Sequence, residues 1–273
     1  MTQIAPASIA KPPRASNRGS HRVWTVVRWL SPLFVLLLWQ LGSAIGLIPQ
    51  DVAPAPSLVF EAGLETIESG ELSDALTASG WRVIQGLLLG GLIGVALGVL
   101  VGLSRIADSL LDPSLQMVRA LPHLALIAPF ILWFGIGETP KILMIALGVM
   151  FPLYLNTISA IRQIEPKLLE TGRVLGFGAW QRFRIIILPS AAPQVLVGLR
   201  QSLAIAWLTL IVAEQIAGGE GIGFMINNAR DFLRMDIIFF GLVIYALLGF
   251  ITDAAVRQLE RYALRYRPNN EDV

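Results

Sequence analysis

The sequence predicts an all-α, polytopic membrane protein with about six transmembrane helices. Of its 273 residues, 55% are hydrophobic and only 15% are charged, and the mean hydropathy is +0.66. Soluble domains carry about 25% charged residues, so this composition excludes an ordinary soluble domain. The apolar residues also fall into runs close to the ~20 residues that a helix needs to cross a bilayer.

Apolar runs bounded by charges define the six candidate spans. They cover residues 29–48, 81–103, 117–136, 141–160, 190–213 and 237–256. In and just before the third, Pro113, Pro122, His123 and Pro129 interrupt the apolar pattern. Such breaks are tolerated in a membrane where neighbouring helices satisfy the freed backbone groups, so we expect this span to lie inside a helix bundle. The transmembrane domain is then 29–256, between tails 1–28 and 257–273.

The distribution of charge predicts the orientation. Segment 1–28 is rich in Pro, Ser and Arg and lacks acidic residues, which favours a retained, disordered cytoplasmic tail; a targeting peptide is the alternative. Most of the 21 Lys and Arg residues lie in segments on the same predicted side, whereas the first loop on the other side is acidic from Asp51 to Asp74. Because Lys and Arg accumulate in cytoplasmic loops, both termini are predicted to be cytoplasmic.

The second span carries glycines at every fourth position, namely Gly86, Gly90, Gly94, Gly98 and Gly102. This spacing removes side chains along one stripe of a helix and lets another helix approach closely. We interpret the stripe as a helix-packing seam without chemistry. The alternative, that glycine is common in membrane helices, explains one or two of the five.

Several kinds of site are excluded. The chain has no cysteine, and Lys11, Lys141 and Lys167 are never followed by Ser or Thr. Disulfides, thiolate metal sites and a phosphate-binding P-loop are therefore absent. The two histidines, His21 and His123, lack metal-ligand spacing. We expect no catalytic residue, no metal site and no cofactor bound by this chain.

The loop 161–189 is polar but has a definite pattern. Pro166 after Glu165 is typical of a helix start, and a helix over 166–175 is predicted. The Gly176-Phe177-Gly178 turn ends it, and a second short helix is expected over 179–187. From these residues alone, the loop fits an ordinary interfacial connector.

The spacing of Glu170, Gly176, Ile186, Leu188 and Pro189 fits E-A-A-x3-G-x9-I-x-L-P. This pattern resembles the loop signature of permeases in ATP-binding-cassette (ABC) importers. The resemblance implies a coupling helix that docks into a cleft on an ATPase subunit. The implied coupling residues are Glu170, Thr171, Gly172, Gly176, Phe177, Gly178, Leu188 and Pro189. Thr171-Gly172 departs from the usual two alanines, and we expect docking to survive because both residues are small.

The resemblance extends over roughly residues 25–268. The stretches 116–142, 146–157, 206–214 and 221–230 are similar to aliphatic sulfonate permeases, within a group that also includes taurine, nitrate, cyanate and pyrimidine-precursor permeases. The resemblance implies a type I importer fold. It also implies a homodimer that is embedded in the lipid of the bacterial inner membrane. The other implied partners are two ATPase subunits that hold ATP and Mg²⁺, and a periplasmic or lipid-anchored solute-binding protein. No nucleic-acid partner is expected.

A sulfonate anion crossing the membrane needs polar groups inside the spans. The candidates for its path are Tyr154, Asn156, Arg200, Trp207 and Thr209. Each has an alternative role: cross-helix hydrogen bonding, filling of space, or pairing of Arg200 with a neighbouring acid. The glycine-rich segment 218–224 is expected to be a flexible gate or docking loop.

Two other classes of function remain open. An ion-coupled secondary carrier should have acidic residues near the bilayer midplane and paired repeats with broken helices. Here Glu214 and Asp253 lie near span ends, and no repeat is evident. A membrane scaffold would explain the hydrophobicity and the glycine seam, but not the spacing of the loop signature.

Overall fold

The computed structural model describes residues 18–265, and all of its regular elements in that range are helices. The chain divides into two compact units, one ending at Ser57 and one beginning at Leu58. The predicted tails 1–28 and 257–273 lie partly outside the described residues. The helices are α1 (Arg18–Ala44), α2 (Pro56–Glu68), α3 (Glu71–Leu103), α4 (Arg105–Ala120), a 3₁₀ turn (His123–Leu126), α5 (Ile127–Phe134), α6 (Glu138–Arg162), α7 (Pro166–Val174), α8 (Ala179–Arg182), a π-helical turn (Phe183–Ile187), α9 (Leu188–Ala217), α10 (Ile222–Asp231) and α11 (Met235–Ala263).

Four stretches of described helix are long and apolar enough to cross a membrane: α3, α6, α11 and the continuous helix from Ala179 to Ala217. A fifth span results if α4 and the segment His123–Phe134 are counted together, although the two are bent by 84°. The first candidate, 29–48, overlaps α1, whose described apolar part, Leu30–Ala44, is shorter than these spans. The protein is therefore a multi-pass membrane protein with approximately the predicted number of spans.

The third span differs from the prediction. It is interrupted at Pro122, and no residue of α4 before the break is buried within the described part of the chain. After the break, Ile127 of α5 is buried against Met144 of α6 and Ala213 of α9, so the expected packing against the bundle is found only in the second part of the span. The physical reason is that the interruption is a helix end and not a kink. The Leu121 N–H bonds the Val118 carbonyl, and a new turn starts at His123. The break is therefore a change of direction of 84° between two helices.

The fifth span also begins earlier than predicted. The loop's second helix runs through the π turn Phe183–Ile187 into α9 without a break. Pro189 cannot donate a hydrogen bond to the preceding turn and crowds its carbonyls, and a wider π turn just before it relieves that crowding. One continuous helix therefore connects the loop to the far end of the bundle.

Helix α6 packs along both α3 and α9 at the centre of the second unit. The five glycines of α3 face it. A Cβ atom at Gly90 or Gly94 would collide with the backbone carbonyl of Ala146 or Met150, which cannot move aside as a side chain can. Ile145, Val149 and Leu153 of α6 belong to a buried apolar cluster that also contains residues of α3 and α9. Because lipid is as apolar as these side chains, close packing and not the hydrophobic effect holds the helices together.

Candidate functional site

The helix directions give the bundle two distinct ends. Helices α3 and α6 run parallel, and α9 returns antiparallel to them, as the contacts of Gly86 with Ile145, of Gly102 with Ile161 and of Gly198 with Asn156 show. The loop end contains residues 161–189 together with the last turns of α3 and α6. The opposite end contains the first turns of α3 and α6, the last turn of α9, and α10.

At the loop end, the predicted short helix is observed as α7, and its termination explains the glycine at 176. The Gly176 N–H bonds the Arg173 carbonyl, and the Phe177 N–H bonds the Gly172 carbonyl. These two bonds are those of a Schellman motif, in which the residue after the helix cap is left-handed. Gly176 has φ of 75° and meets that requirement without strain. No other atom lies near its missing Cβ.

The departure from the two-alanine pattern has a local structural account. The Thr171 hydroxyl donates to the Lys167 carbonyl within the same helix at 2.8 Å. Gly172 is buried, and a Cβ there would lie 2.6 Å from the tip of Ile186. The glycine thus lets α7 pack closely on the π turn. Glu170 and Gly178 are exposed, whereas Phe177, Leu188 and Pro189 range from half-buried to exposed.

Apolar side chains project from the loop into solvent. Val174 is 87% exposed, Leu175 64% and Trp180 70%, and we call these three residues the loop patch. The Trp180 ring stacks on Phe183 with centroids 5.7 Å apart, which fixes its orientation. Exposed apolar residues grouped in this way mark a surface that another molecule covers.

At the opposite end, a buried group of charged residues joins three helices. Arg82 of α3 donates to both carboxylate oxygens of Glu138, at 2.5 and 2.8 Å, and to Glu214 of α9 at 2.6 Å. Lys141 contacts Glu138 at 3.2 Å. Arg82, Lys141 and Glu214 are buried, whereas the Glu138 side chain is half exposed. We call these four residues the charged clasp.

The charged clasp also holds the glycine-rich segment. Lys141 Nζ donates to the Gly218 carbonyl at 2.8 Å, and Arg82 donates to the Glu220 carbonyl at 2.5 Å. The Gly223 N–H donates to Glu214 at 2.8 Å. The segment 218–224 is therefore hydrogen-bonded to the clasp at Gly218, Glu220 and Gly223, and its flexibility stays a prediction. These fixed groups hold its backbone, because its glycines leave room for side chains of the clasp.

The sequence did not predict the charged clasp, although it contained a signal. Arg82 and Lys141 do not follow the concentration of basic residues on one side of the membrane, and both lie within or at the edge of predicted spans. A basic residue inside a span requires an acidic partner. Glu214 and Glu138, at the ends of neighbouring spans, were the available partners.

The five path candidates do not gather at one point. The Tyr154 hydroxyl donates to Asp112 of α4 at 2.6 Å, and Thr209 lies 3.3 Å from His123. Trp207 packs edge-on against Tyr245 of α11. These contacts all join α6 or α9 to a neighbouring element.

The other two path candidates have charged or amide partners. Arg200 pairs with Asp253 and Glu260 of α11, at 3.2 and 2.9 Å, and borders a cavity of about 190 Å³. Asn156 hydrogen-bonds two glutamines of α9. Arg200 therefore links α9 to α11, and Asn156 links α6 to α9.

Comparison with known proteins identifies the family. Residues 90–264 match the family described as binding-protein-dependent transport system inner membrane component. The chain belongs to this family. The match includes the loop, four of the five seam glycines and all five path candidates, while Arg82 lies just before it.

Two relatives that align with most of this chain are named for the substrates of their transport systems. The chain is 44% identical over 253 residues to SsuC of Bacillus subtilis (strain 168), which is named for aliphatic sulfonates transport; the alignment covers 93% of this chain and 92% of SsuC. It is 33% identical to the taurine transport system permease protein TauC of Escherichia coli (strain K12), covering 83% and 84% of the two chains.

The fold of this transport component has a solved counterpart. It matches a chain of the methionine ABC transporter MetNI in an inward-facing conformation, with a TM-score of 0.62 and 20% identity. The match covers 73% of this chain and 98% of that chain. The predicted ABC importer permease fold is therefore confirmed.

Proposed function

We propose that this protein is the permease subunit of an ATP-driven, binding-protein-dependent importer that carries aliphatic sulfonates across a bacterial inner membrane. The observation that carries the substrate is the 44% identity, over nearly the whole of both chains, to SsuC. The 33% identity to TauC makes taurine the second candidate. Nitrate or a pyrimidine precursor are further alternatives within the same group of permeases.

The loop patch is the proposed contact with the ATPase. Val174, Leu175 and Trp180 supply exposed apolar area of the kind that forms the core of a protein interface. The Schellman turn at Gly176 and the close contact at Gly172 set the shape in which that area is presented. We assign ATP and Mg²⁺ to the ATPase, in agreement with the lack of a P-loop pattern in this sequence.

The continuous helix from Ala179 to Ala217 supports a mechanism for coupling. Its first turn contains Trp180 of the loop patch, and its last turn contains Glu214 of the charged clasp. A displacement of the loop when the ATPases close is transmitted along this helix, since a hydrogen-bonded helix is stiff along its axis. The two ends of the bundle then open alternately to the two sides of the membrane.

The proposed assembly has two permease copies, two ATPase subunits and one periplasmic or lipid-anchored solute-binding protein. The loop end faces the cytoplasm, in agreement with the concentration of Lys and Arg there, and both termini are then cytoplasmic. The opposite end faces the binding protein. Exposed apolar residues of α3, such as Leu88 and Leu92, contact lipid.

The test is uptake of a labelled short alkanesulfonate into cells that lack their own sulfonate permease but keep the matching ATPase and binding protein. We expect the native chain to restore uptake and Trp180→Glu to abolish it while still reaching the membrane. Gln163→Glu, an exposed change at the same end outside the loop patch, should retain uptake.

Three other outcomes change the proposal. If the chain is expressed but takes up no sulfonate, cells supplied with the other binding proteins are tested next. Uptake of taurine, nitrate or a pyrimidine precursor in those cells would identify that anion as the substrate. Uptake that persists after ATP depletion while the proton gradient is intact indicates a secondary carrier. Failure of the purified chain to bind any cassette ATPase indicates a scaffold.

A further inference from the structure

A directional chain of three amides runs from α9 to α6 and back to α9 near the middle of the bundle. Gln194 Nε2 donates to Asn156 Oδ1 at 2.7 Å, and Asn156 Nδ2 donates to Gln201 Oε1 at 2.9 Å. We call these residues the amide relay. Gly198 makes it possible, since a Cβ at that position would lie 2.8 Å from the Asn156 side chain.

The direction of the amide relay follows from one backbone carbonyl. Asn156 Nδ2 also lies 2.8 Å from the carbonyl oxygen of Pro152. A carbonyl only accepts, so the atom facing it must be the amide nitrogen. The Gln201 atom that faces this nitrogen must then be its oxygen, and the Gln194 atom that faces Asn156 Oδ1 must be a nitrogen. Among residues 18–265, both N–H donors of Gln201 are therefore left without a partner.

Gln201 presents those donors on the exposed side of α9. The exposed positions in this part of α9 lie on one face, at Val197, Gln201, Ala204 and Leu208. At ~1.5 Å per residue, Gln201 lies about 20 Å from Leu188 and about 24 Å from Ala217. That is close to the middle of a hydrocarbon core about 30 Å thick. A carboxamide exposed at that depth needs a polar or water-filled space and not lipid.

The chemistry of a sulfonate matches such a donor. Its three oxygens share one negative charge and only accept hydrogen bonds, so they have to be met by N–H or O–H groups when water is removed. Arg200, the neighbouring cation, is already paired with Asp253 and Glu260. A neutral amide donor holds an anion less tightly than an unpaired cation does, and a transport path requires release as well as binding.

Resting on the proposed function for its substrate, we propose that Gln201 is a substrate-binding residue that donates a hydrogen bond to the sulfonate group within the translocation path. Asn156 and Gln194 are positioning residues, because the amide relay fixes the oxygen of Gln201 inward and its N–H groups outward. The same donor serves other small oxyanions of similar shape, so it selects for chemistry and not for the length of the alkyl chain.

The absence of cysteine from the chain allows a direct test of access. Gln201→Cys is assembled with the ATPase and binding protein in membrane vesicles and treated with a negatively charged methanethiosulfonate reagent, with and without ATP. We expect labelling in at least one nucleotide state and slower labelling in the presence of butane-1-sulfonate. Leu92→Cys, on an exposed apolar face of α3, is the matched control and should remain unlabelled.

A second measurement tests the hydrogen bond. Gln201→Glu keeps the shape of the side chain but introduces negative charge, and we expect sulfonate uptake at least tenfold lower at unchanged permease abundance. Gln163→Glu makes the same chemical change outside the bundle and should retain most of the uptake. Asn156→Leu should raise the apparent KM for the loaded binding protein more than it lowers the maximal rate.

The outcomes separate this proposal from the proposed function. If the native chain transports sulfonate but Gln201→Cys is unlabelled in every nucleotide state, Gln201 faces lipid or the second permease copy and the inference is wrong. Normal uptake by Gln201→Glu overturns it as well. If the native chain carries no sulfonate, the proposed function has failed instead, whatever the labelling shows.

Discussion

The two ends of the bundle differ in which side chains they bury and which they expose. At the opposite end, charged groups of α3, α6 and α9 satisfy one another within the chain, and Arg82 and Glu214 are both buried. At the loop end, Val174, Leu175 and Trp180 are left largely exposed by the described part of the chain. One end therefore satisfies its charges internally, whereas the other presents apolar side chains on its surface. The difference also separates the residues that govern stability from those that govern association.

The largest expected effect is on the charged clasp. Arg82→Met leaves Glu214 buried without its cation, and breaking a buried pair from one side costs about 3–5 kcal/mol. We expect a correspondingly lower free energy of unfolding in detergent. Arg230→Met, which removes an exposed arginine at the same end, should change stability by less than about 0.5 kcal/mol. Equal effects of the two changes would show that the clasp does not stabilise this end.

The next effect belongs to the loop patch and should appear in binding alone. Val174→Glu places a charge where an apolar side chain is 87% exposed, so the fold should tolerate it within about 0.5 kcal/mol. Binding of the ATPase subunit should weaken by about tenfold or more, because a desolvated, unpaired charge is costly in an interface. Titration of the ATPase subunit with the native permease and with the variant measures the two dissociation constants. Unchanged affinity would remove Val174 from the docking surface.

A smaller effect is expected at the turn that shapes the loop patch. Gly176→Ala forces an alanine into the left-handed region at φ of 75°, which costs about 1 kcal/mol. Amide hydrogen exchange over residues 166–178 should become about fivefold faster, while exchange in α6 stays the same. Gly176→Asn should fall between the two, since asparagine tolerates this conformation better. Equal exchange in all three chains would argue against the Schellman turn.

The smallest effect is a pH dependence at the opposite end. Arg234 bonds Glu65 at 2.7 Å, and this hydrogen bond, together with the positive charge, lowers the pKa of Glu65 below its ordinary value of 4.5. A carboxylate with a lowered pKa contributes stability that is present above the ordinary value and is lost as the pH falls through the lowered one. Melting temperatures measured above and below pH 4.5 should therefore differ slightly more for the native chain than for Glu65→Gln. An identical pH dependence would show that this exposed pair contributes nothing.

Local rules predicted much of the fold. Hydropathy placed the spans, the four-residue spacing of glycine placed the face of α3 that meets α6, and Glu165-Pro166 with Gly176 gave the start and end of α7. These features depend on residues near one another in sequence. The seam and loop assignments remain functional predictions, while the close approach at Gly90 and the turn at Gly176 are structural observations.

The same local rules could not predict the contacts between side chains on different helices. Asn156 was singled out as a polar residue in a span, but its partners Gln194 and Gln201 depend on the register between α6 and α9. Arg82 and Glu214 are separated by 132 residues, and the sequence offered only the rule that a basic residue in a span needs an acid. The continuity of the helix through Pro189 likewise depended on a π turn that no simple spacing indicates.

The sequence by itself determined that the chain crosses the membrane several times, which segment projects as a glycine-hinged loop, and that no phosphate-binding motif accompanies it. Hydropathy and turn chemistry depend on residues that are close in sequence, so the spans and turns can be inferred from a single sequence. The tertiary structure decided which polar groups satisfy one another and which remain exposed, because that outcome depends on the depth and rotation of one helix against another. The unused donors of Gln201 and the paired charges around Arg82 are products of that packing.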